Sequence, residues 1–227
     1  PAGRSDHTRE STMIDAHVRF FDLDAVAVDD ALLSDDERDR VGRKATPVLK
    51  QRQAASFQCV RVTLGEVLGV APRTLAFERR DGGKPALRGG GLHFNVSHSG
   101  GVGMLAWSPG ELGVDVEKLI ARPTDALAQE VLSAQELGLW HAMPQGDRQA
   151  WLTRAWTRKE STLKAVGAGL RIPPRTLELM LSPDAGQPSS LAANRWALDL
   201  EGRRWRGVDW FDGVPKGYRA AVCVEVQ

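Results

Sequence analysis

The stretch LHFNVSHSGGVGMLAWSPGELGVDVEKL, residues 92–119, predicts three short strands in succession. Two turns separate them, SHSGG at 97–101 and SPGE at 108–111, and the Pro-Gly order of the second favours a type II turn. The middle of the chain is therefore expected to supply several of the strands of the fold.

Helical and extended patterns alternate on both sides of this stretch. The segments that predict helices are a Ser-capped start at 33–41, a long run at 47–70 ending near Gly69, and regions at 123–141 and 147–168. Strands are expected at 17–28, within 74–87 around a Gly-rich turn, and on both sides of a loop at 182–190. This order predicts an α+β fold of two pseudo-symmetric lobes, each an antiparallel sheet packed on helices. The lobes are expected at 13–109 and 110–227, behind a disordered lead or cloning remnant at 1–12.

Composition excludes several classes of protein. The 227 residues are 42% hydrophobic and 26% charged, and no apolar run is long enough to span a bilayer. The first twelve residues are polar and do not resemble a signal peptide, so we expect a cytoplasmic protein. Cys59 and Cys223 are the only cysteines, which excludes a Cys-based zinc site. A net charge of +1 gives no sign of a nucleic-acid or membrane partner.

A basic run is more informative than the net charge. Between Arg38 and Arg61 there is one acid, Asp39, and there are seven basic residues: Arg38, Arg40, Arg43, Lys44, Lys50, Arg52 and Arg61. The run is typical of a solvated helix face, but it also suits a phosphate-binding patch. Charge alone leaves both interpretations open.

The segment GVDVEK at 113–118 places two carboxylates on one strand face. Side chains alternate along a strand, so Val114 and Val116 should face the core while Asp115 and Glu117 share the opposite face. Two acids on one face repel each other unless a cation lies near them. An exposed strand edge with two solvated acids is the alternative, and D-x-E patterns of that kind are common.

The segment AWTRKESTLKAVGAGL at 155–170 predicts a helix that carries a third acid. Glu160 lies four residues from both Trp156 and Lys164, and so borders an apolar stripe that also includes Lys159. A surface pair between Glu160 and Lys164 is one interpretation. The other is a carboxylate that points at Asp115 and Glu117, with the two lysines serving an anion nearby.

Three oxygen ligands without His or Cys suit a hard cation. Mg²⁺ usually takes one or two carboxylates, keeps waters and completes its shell with substrate phosphate. The SHSGG turn adds hydroxyls, His98 and glycine backbone that suit phosphate oxygens. Ser97 and His98 point apart on an extended chain, which argues against a nucleophilic triad.

Four segments stand in a fixed order: GKP (83–85), FNVSHSGG (94–101), GVDVEK (113–118) and WTRKESTLKAVGAGL (156–170). Together they resemble the 4′-phosphopantetheinyl transferases of the larger, Sfp-like type. The resemblance implies transfer of the 4′-phosphopantetheine arm of coenzyme A to a serine of an apo acyl or peptidyl carrier protein, releasing adenosine 3′,5′-bisphosphate. It implies a monomer with the active site at the lobe interface, Mg²⁺ (or Mn²⁺) as cofactor, and coenzyme A as co-substrate.

The resemblance also implies roles for individual residues. Asp115, Glu117 and Glu160 match metal ligands, Lys164 matches the lysine near the pyrophosphate, and Lys159 matches its neighbour. Glu160 and Lys164 are expected to be catalytic, with Glu160 taking the serine proton directly or through a water. A water held at the metal and relayed by Asp115 or Glu117 is the alternative base. The residues matched to coenzyme A contacts are Arg52, Arg61, Gly83, Lys84, Pro85, Ser97, His98, Asp115, Lys159 and Lys164.

Other functions compete with this one. A short holo-acyl-carrier-protein synthase would be about half this length and trimeric. A Mg²⁺-dependent nuclease or phosphodiesterase would use three carboxylates, but a polynucleotide groove favours more positive charge than +1. A non-catalytic coenzyme A-binding module would not need the acids. The sequence leaves open which carrier is served, in fatty acid, polyketide or nonribosomal peptide synthesis, and whether Arg38, Arg40, Arg43 or Lys44 touches coenzyme A.

Overall fold

The computed structural model describes residues 14–180 and 194–226 of the chain. The α+β prediction with antiparallel sheets is confirmed. The strands are β1 His17–Asp22, β2 Phe77–Arg79, β3 Pro85–Leu87, β4 His93–Ser99, β5 Val102–Ser108, β6 Leu112–Lys118, β7 Arg195–Leu200, β8 Arg203–Trp210 and β9 Tyr218–Val226. The helices of more than one turn are α1 Asp35–Gly42, α2 Pro47–Leu68, α3 Asp125–Val131, α4 Ala134–Ala142 and α5 Gln145–Val166. The lead expected at 1–12 and the loop expected at 182–190 lie outside the described residues.

Local chemistry explains where the elements differ from the sequence prediction. The first strand ends at Asp22, whose carboxylate accepts the Asp24 backbone N–H at 3.1 Å and turns the chain out of the sheet. The helical region expected at 123–141 is two helices, because Ser133 and Glu136 form a capping box that starts α4. The prediction of a type II turn at SPGE is wrong. Such a turn requires a positive φ at its third residue, and Gly110 does not have one.

Two sheets carry the core. One has the strand order β1-β5-β4 and the other has the order β6-β9-β8-β7, while β2 and β3 form a separate hairpin. The inner faces of β5 and β6 share one apolar cluster, which contains Met104, Ala106, Val114 and Val116. The alternation predicted for GVDVEK is therefore confirmed for its two valines. On the outer faces, α2 packs against the first sheet and α5 packs against the second.

The two sheets meet along β4 and β6. The Val114 backbone N–H donates to the Asn95 side-chain oxygen at 2.9 Å, and the Lys118 N–H donates to the Ser99 hydroxyl at 3.2 Å. Both contacts join residues 19 apart in the chain, so the strands run in the same direction. This seam places polar side chains of β4 beside the carboxylates of β6.

Gly113 lets helix α5 approach this seam. A Cβ at this position would lie 2.1 Å from the Ser161 carbonyl oxygen and 2.2 Å from the Ala165 nitrogen, both backbone atoms of α5. Only glycine fits such a contact. The close approach brings side chains of α5 within reach of β6. Within the described part of the chain, none of the helices has the length and apolar character to cross a membrane.

Candidate active site

Asp115 lies at the centre of the seam and is 1% exposed. One of its carboxylate oxygens, Oδ1, accepts hydrogen bonds from Lys164 Nζ at 2.6 Å and from the Ser97 hydroxyl at 2.8 Å. Lys164 Nζ also donates to the Ser97 oxygen at 3.0 Å, which closes a triangle of β4, β6 and α5. The other oxygen, Oδ2, is buried without a hydrogen-bond partner among the described residues. A buried carboxylate oxygen in that state is costly unless a ligand pairs with it.

Glu117 and Glu160 flank Asp115, and both have raised pKa values. Burial is the main cause of the raised pKa of the Glu160 carboxyl, the charge on Asp115 adds to it, and Lys164 opposes it. Burial likewise raises the pKa of the Glu117 carboxyl, with a smaller contribution from Asp115. The hydrogen bond from the Ser99 hydroxyl, at 2.6 Å, opposes that rise. The charge on Asp115 therefore contributes to the raised pKa values of both glutamates, and Lys164 opposes both rises.

These residues fit a magnesium ion in part. Among the described residues, no group of three or more His, Cys, Asp or Glu side chains is close enough to hold a metal by itself. The expected trio is thus coupled electrostatically without forming a complete set of ligands. Mg²⁺ needs only one or two carboxylates when waters and substrate phosphates complete its shell. The partnerless Oδ2 of Asp115 and an all-oxygen donor set suit that requirement.

The structure places Lys159 away from this seam, contrary to the expected contact with coenzyme A. Its side chain is completely buried, forms an ion pair with Glu136 of α4, and donates to the Val131 carbonyl at 2.8 Å. Burial lowers the pKa of the Lys159 ammonium, and the nearby Glu136 opposes that change. The sequence carried a signal for this placement, because Lys159 belongs to the apolar stripe of α5. A cation on such a stripe is buried with a partner rather than turned toward a ligand.

Arg61 and Arg52 are engaged elsewhere as well. Arg61 is buried, pairs with Glu37 at 2.7 Å, and donates to the carbonyl oxygens of Pro72 and Leu75. It holds both α1 and the segment that follows α2 onto α2, so its guanidinium serves contacts within the protein. Arg52 makes a two-point pair with Asp24, with distances of 2.6 and 2.7 Å.

The GKP segment forms a structural tie to the second half of the chain. Lys84 Nζ donates to Glu111 at 2.6 Å and to the Ala165 carbonyl at the end of α5 at 3.0 Å. Its side chain is 8% exposed, and burial lowers its pKa while Glu111 opposes that change. Gly83 has a left-handed backbone, and Pro85 starts β3. Any contact of this segment with a nucleotide would therefore come from its backbone and from Pro85.

A basic cavity of about 430 Å³ lies on the α1–α2 side of the seam. Its charged lining residues are Arg40, Arg43, Lys44, Arg79 and the single acid Asp36. His98 keeps one exposed edge near the end of β4. Burial of the rest of the imidazole lowers its pKa, and the charges of Lys44 in this cavity and Lys164 at the seam lower it further. The basic run thus contributes three of the four cations in this cavity, through residues whose role the sequence left open.

Arg79 is the cavity residue that sequence reasoning missed. It lies on β2 directly opposite Pro85 of the GKP segment in the β2–β3 register. The sequence predicted a strand and a Gly-rich turn before GKP. A tight turn of that kind places the end of the strand opposite GKP, and this was the available signal for Arg79.

Comparison with known proteins places this geometry in a family. A model of the 4′-phosphopantetheinyl transferase superfamily matches residues 111–223. The chain is 34% identical over 177 residues to the 4′-phosphopantetheinyl transferase HetI of Nostoc, an alignment that covers 74% of this chain and 73% of HetI. The chain belongs to the 4′-phosphopantetheinyl transferase superfamily.

Two further phosphopantetheinyl transferases are similar to this one. AcpT of Salmonella typhimurium is 34% identical over 150 residues, which covers 64% of this chain and 72% of AcpT. A 4′-phosphopantetheinyl transferase of Bacillus subtilis is 26% identical over 155 residues, covering 68% of this chain and 69% of that protein. The segment matched by the superfamily model contains the three acids and Lys164, whereas the basic cavity precedes it in this phosphopantetheinyl transferase.

Proposed function

We propose that this chain transfers the 4′-phosphopantetheine arm of coenzyme A to a serine hydroxyl of an apo carrier protein. The serine oxygen forms a bond to the pantetheine-side phosphorus, the pyrophosphate P–O bond breaks, and adenosine 3′,5′-bisphosphate leaves. The observation that carries the proposal is the triangle of Asp115, Lys164 and Ser97 beside a basic cavity, in a chain of this superfamily.

Two anion sites match the two phosphate groups of coenzyme A. The basic cavity has four cations against one acid, which suits the separate 3′-phosphate. Lys164 at the seam suits the pyrophosphate, and the charges of Lys44 and Lys164 both reach His98. The sequence assigned the 3′-phosphate contact to Arg52 and Arg61, but those two arginines are held in ion pairs. We assign the contact instead to the cations of the cavity, which are Arg40, Arg43, Lys44 and Arg79.

Asp115 would hold a magnesium ion through its free Oδ2, with waters and substrate phosphate oxygens supplying most of the shell. Glu117 and Glu160 remain proposed ligands, although the described side chains of the three acids do not form one metal-binding cluster. The bound ion would neutralise pyrophosphate charge and polarise the phosphorus under attack. Ser97 and Lys164 fix the other oxygen of Asp115, so the carboxylate cannot turn freely.

Glu160 is the residue we assign to the serine proton. Its raised pKa makes it a stronger base than an ordinary carboxylate, and it forms no hydrogen bond or ion pair within the described residues. Lys164 stabilises negative charge on the departing bisphosphate, because its ammonium already faces the seam.

We also propose that the chain consists of two pseudo-symmetric lobes with the site between them. Dividing the chain at 13–109 and 110–227 makes β1-β5-β4 correspond to β6-β9-β8, with the first strand of each half beside the last. Each half also has a 22-residue helix, α2 or α5, that ends at a left-handed glycine, Gly69 or Gly167. The seam between β4 and β6 then lies between the halves.

The test is to incubate the protein with coenzyme A, Mg²⁺ and a panel of apo acyl and peptidyl carrier proteins, and then to weigh the carriers. A mass gain of one phosphopantetheine group is expected, and it should be lost when the carrier serine is replaced by alanine. No gain across the panel would refute the proposal. Release of adenosine 3′,5′-bisphosphate without carrier modification would instead indicate a phosphodiesterase.

A further inference from the structure

Ser99, the last residue of β4, has no function in the reaction proposed above. Its hydroxyl donates to Glu117 Oε2 at 2.6 Å and accepts the Lys118 backbone N–H at 3.2 Å. A serine hydroxyl has one hydrogen to donate. Because the Lys118 N–H occupies an acceptor site on the hydroxyl oxygen, that hydrogen is left for the Glu117 carboxylate. The backbone of β6 thus fixes Ser99 as a donor to the preceding side chain of the same strand.

The same pattern recurs two residues earlier on β4. The Ser97 hydroxyl donates to Asp115 Oδ1 at 2.8 Å and accepts the Lys164 ammonium at 3.0 Å. Each serine bonds a carboxylate 18 residues further along the chain, so the two bonds are in register. Side chains two residues apart on a strand lie on the same face. The two hydroxyls therefore hold the two carboxylates of β6 as successive rungs along the seam.

Other contacts hold β4 and β6 together without the Ser99 hydroxyl. The strands belong to different sheets, and the Asn95 side chain bridges them by accepting the Val114 N–H at 2.9 Å. The bonds of the Ser97 hydroxyl tie the middle of β4 to β6 and to α5. Removing the Ser99 hydroxyl therefore leaves the seam connected and loosens mainly the Glu117 carboxylate.

The direction of the Glu117 carboxylate matters for a metal ion. Among the described residues, the acids of the seam form no complete metal-binding cluster, so each carboxylate has to be directed at the ion. Holding a glutamate in one rotamer costs conformational entropy, which a bond must offset. Burial raises the Glu117 pKa, and of the two side chains that oppose this rise by hydrogen bonding, Ser99 has the larger effect and Trp156 the smaller. Ser99 is thus the stronger hydrogen-bonding partner of this carboxylate.

We propose that Ser99 is a positioning residue of the active site, whose hydroxyl fixes the Glu117 carboxylate in the direction needed to meet a divalent cation. The inference rests on the proposed function and deepens it, because it names a residue that acts on the metal site through Glu117. Side chains that hydrogen-bond a metal-ligating carboxylate orient it, and the loss of one costs about 10- to 100-fold in metal affinity or activity.

The test compares Ser99→Ala with Ser99→Thr, which keeps the hydroxyl on a side chain that suits a strand. Ser108→Ala is the matched control, because the Ser108 hydroxyl donates to the Gly110 carbonyl at 2.5 Å, at the opposite end of the β4–β5 pair from Ser99. Mn²⁺ replaces Mg²⁺ as the probe, and electron paramagnetic resonance follows its binding in the presence of coenzyme A without carrier. After subtraction of the Mn²⁺ bound by coenzyme A alone, Ser99→Ala should weaken binding at least about tenfold, while Ser99→Thr and Ser108→Ala stay within about twofold of the wild type.

A double-mutant comparison separates positioning from a general structural effect. If Ser99 acts through the Glu117 carboxylate, Ser99→Ala should change Mn²⁺ affinity less than about twofold when Glu117→Ala is already present. In steady-state transfer, Ser99→Ala should need about tenfold more Mg²⁺ for its half-maximal rate, with the KM for carrier within about twofold of the wild type. The melting temperatures of Ser99→Ala and Ser108→Ala should be similar, because each variant loses one hydroxyl.

Wild-type Mn²⁺ affinity in Ser99→Ala overturns the inference, as does an equal loss of affinity in Ser108→Ala. It is also overturned if Ser99→Ala weakens binding just as much in the Glu117→Ala background, because Ser99 would then act by another route. A wild-type protein that binds no Mn²⁺ with coenzyme A overturns it too. If the wild-type protein binds Mn²⁺ but modifies no carrier, the proposed function fails, while the manganese titration still decides the inference.

Discussion

Replacing Glu136 by glutamine should strongly lower the free energy of unfolding, although Glu136 lies outside the seam. The Glu136 carboxylate accepts four hydrogen bonds, and every donor is buried or in the backbone. Oε2 accepts the Ser133 N–H at 2.9 Å and the Lys159 ammonium, while Oε1 accepts the N–H groups of Leu179 and Met180 at 2.8 and 3.0 Å. A glutamine has only one acceptor oxygen, so its NH₂ group must face donors on one side.

The magnitude follows from the burial of both partners. Glu136 and Lys159 are 0% exposed, so Glu136→Gln leaves a buried ammonium without its counter-ion. Removing one partner of a buried pair costs about 3 to 5 kcal/mol. At about 2 to 4 °C per kcal/mol for a chain of this size, the melting temperature should fall by about 6 to 20 °C.

Thermal and urea denaturation measure this effect, with Glu130→Gln as the matched control. Glu130 pairs with Arg175 at 3.2 Å on the surface, where the same substitution should cost about 1 kcal/mol or less. Adding Lys159→Met to Glu136→Gln removes the stranded ammonium and should recover part of the loss. Equal midpoints for the Glu136 and Glu130 variants would refute the buried-pair reasoning.

Three further predictions concern the seam and the thiols. Because burial raises the Glu160 pKa above the ordinary 4.5, this group contributes stability in acid that is lost as pH rises through the raised pKa. Glu160→Gln should therefore raise the melting temperature near neutral pH, and the difference from the wild type should vanish in acid. The rate of phosphopantetheine transfer should fall about 100-fold or more, and a wild-type rate would exclude Glu160 as the base. Gly113→Ala should prevent folding because the new Cβ would collide with the backbone of α5. Gly138→Ala has open space around it and should stabilise α4 by about 1 kcal/mol. Circular dichroism and denaturation distinguish the two variants, and a normally folded Gly113→Ala would contradict the close approach of α5. Burial raises the pKa of the Cys59 thiol to about 11 and that of Cys223 to about 12, so iodoacetamide at pH 8 should modify neither in the native protein and both in urea, as mass spectrometry would show.

Local rules account for the parts of the site that the sequence predicted. Alternation along β6 separates Val114 from Asp115, because successive side chains of any strand point to opposite faces. The spacing of four residues between Glu160 and Lys164 places both on one side of α5, because helical periodicity is equally local. These two patterns made a shared site of Asp115, Glu160 and Lys164 one of two interpretations, and the order of the four motifs favoured it.

The partners of the remaining charged residues depend on contacts between distant segments. Lys159 and Lys164 stand on the same helix, yet one pairs with Glu136 inside the helical layer and the other faces Asp115. Arg61 belongs to the basic run but is held by Glu37 beneath α1. A sequence shows the sign of each charge, whereas the choice of partner depends on which elements pack together.

By itself, the sequence determined the α+β class, the acids of the seam and the superfamily resemblance, because these rest on short-range periodicity and on the order of motifs. Tertiary structure alone decided that the basic cavity consists of Arg40, Arg43, Lys44 and Arg79, and that Arg61 and Lys159 are structural. The physical reason is desolvation. A buried cation must be paired within the protein, so packing determines which cations remain available to bind a phosphate.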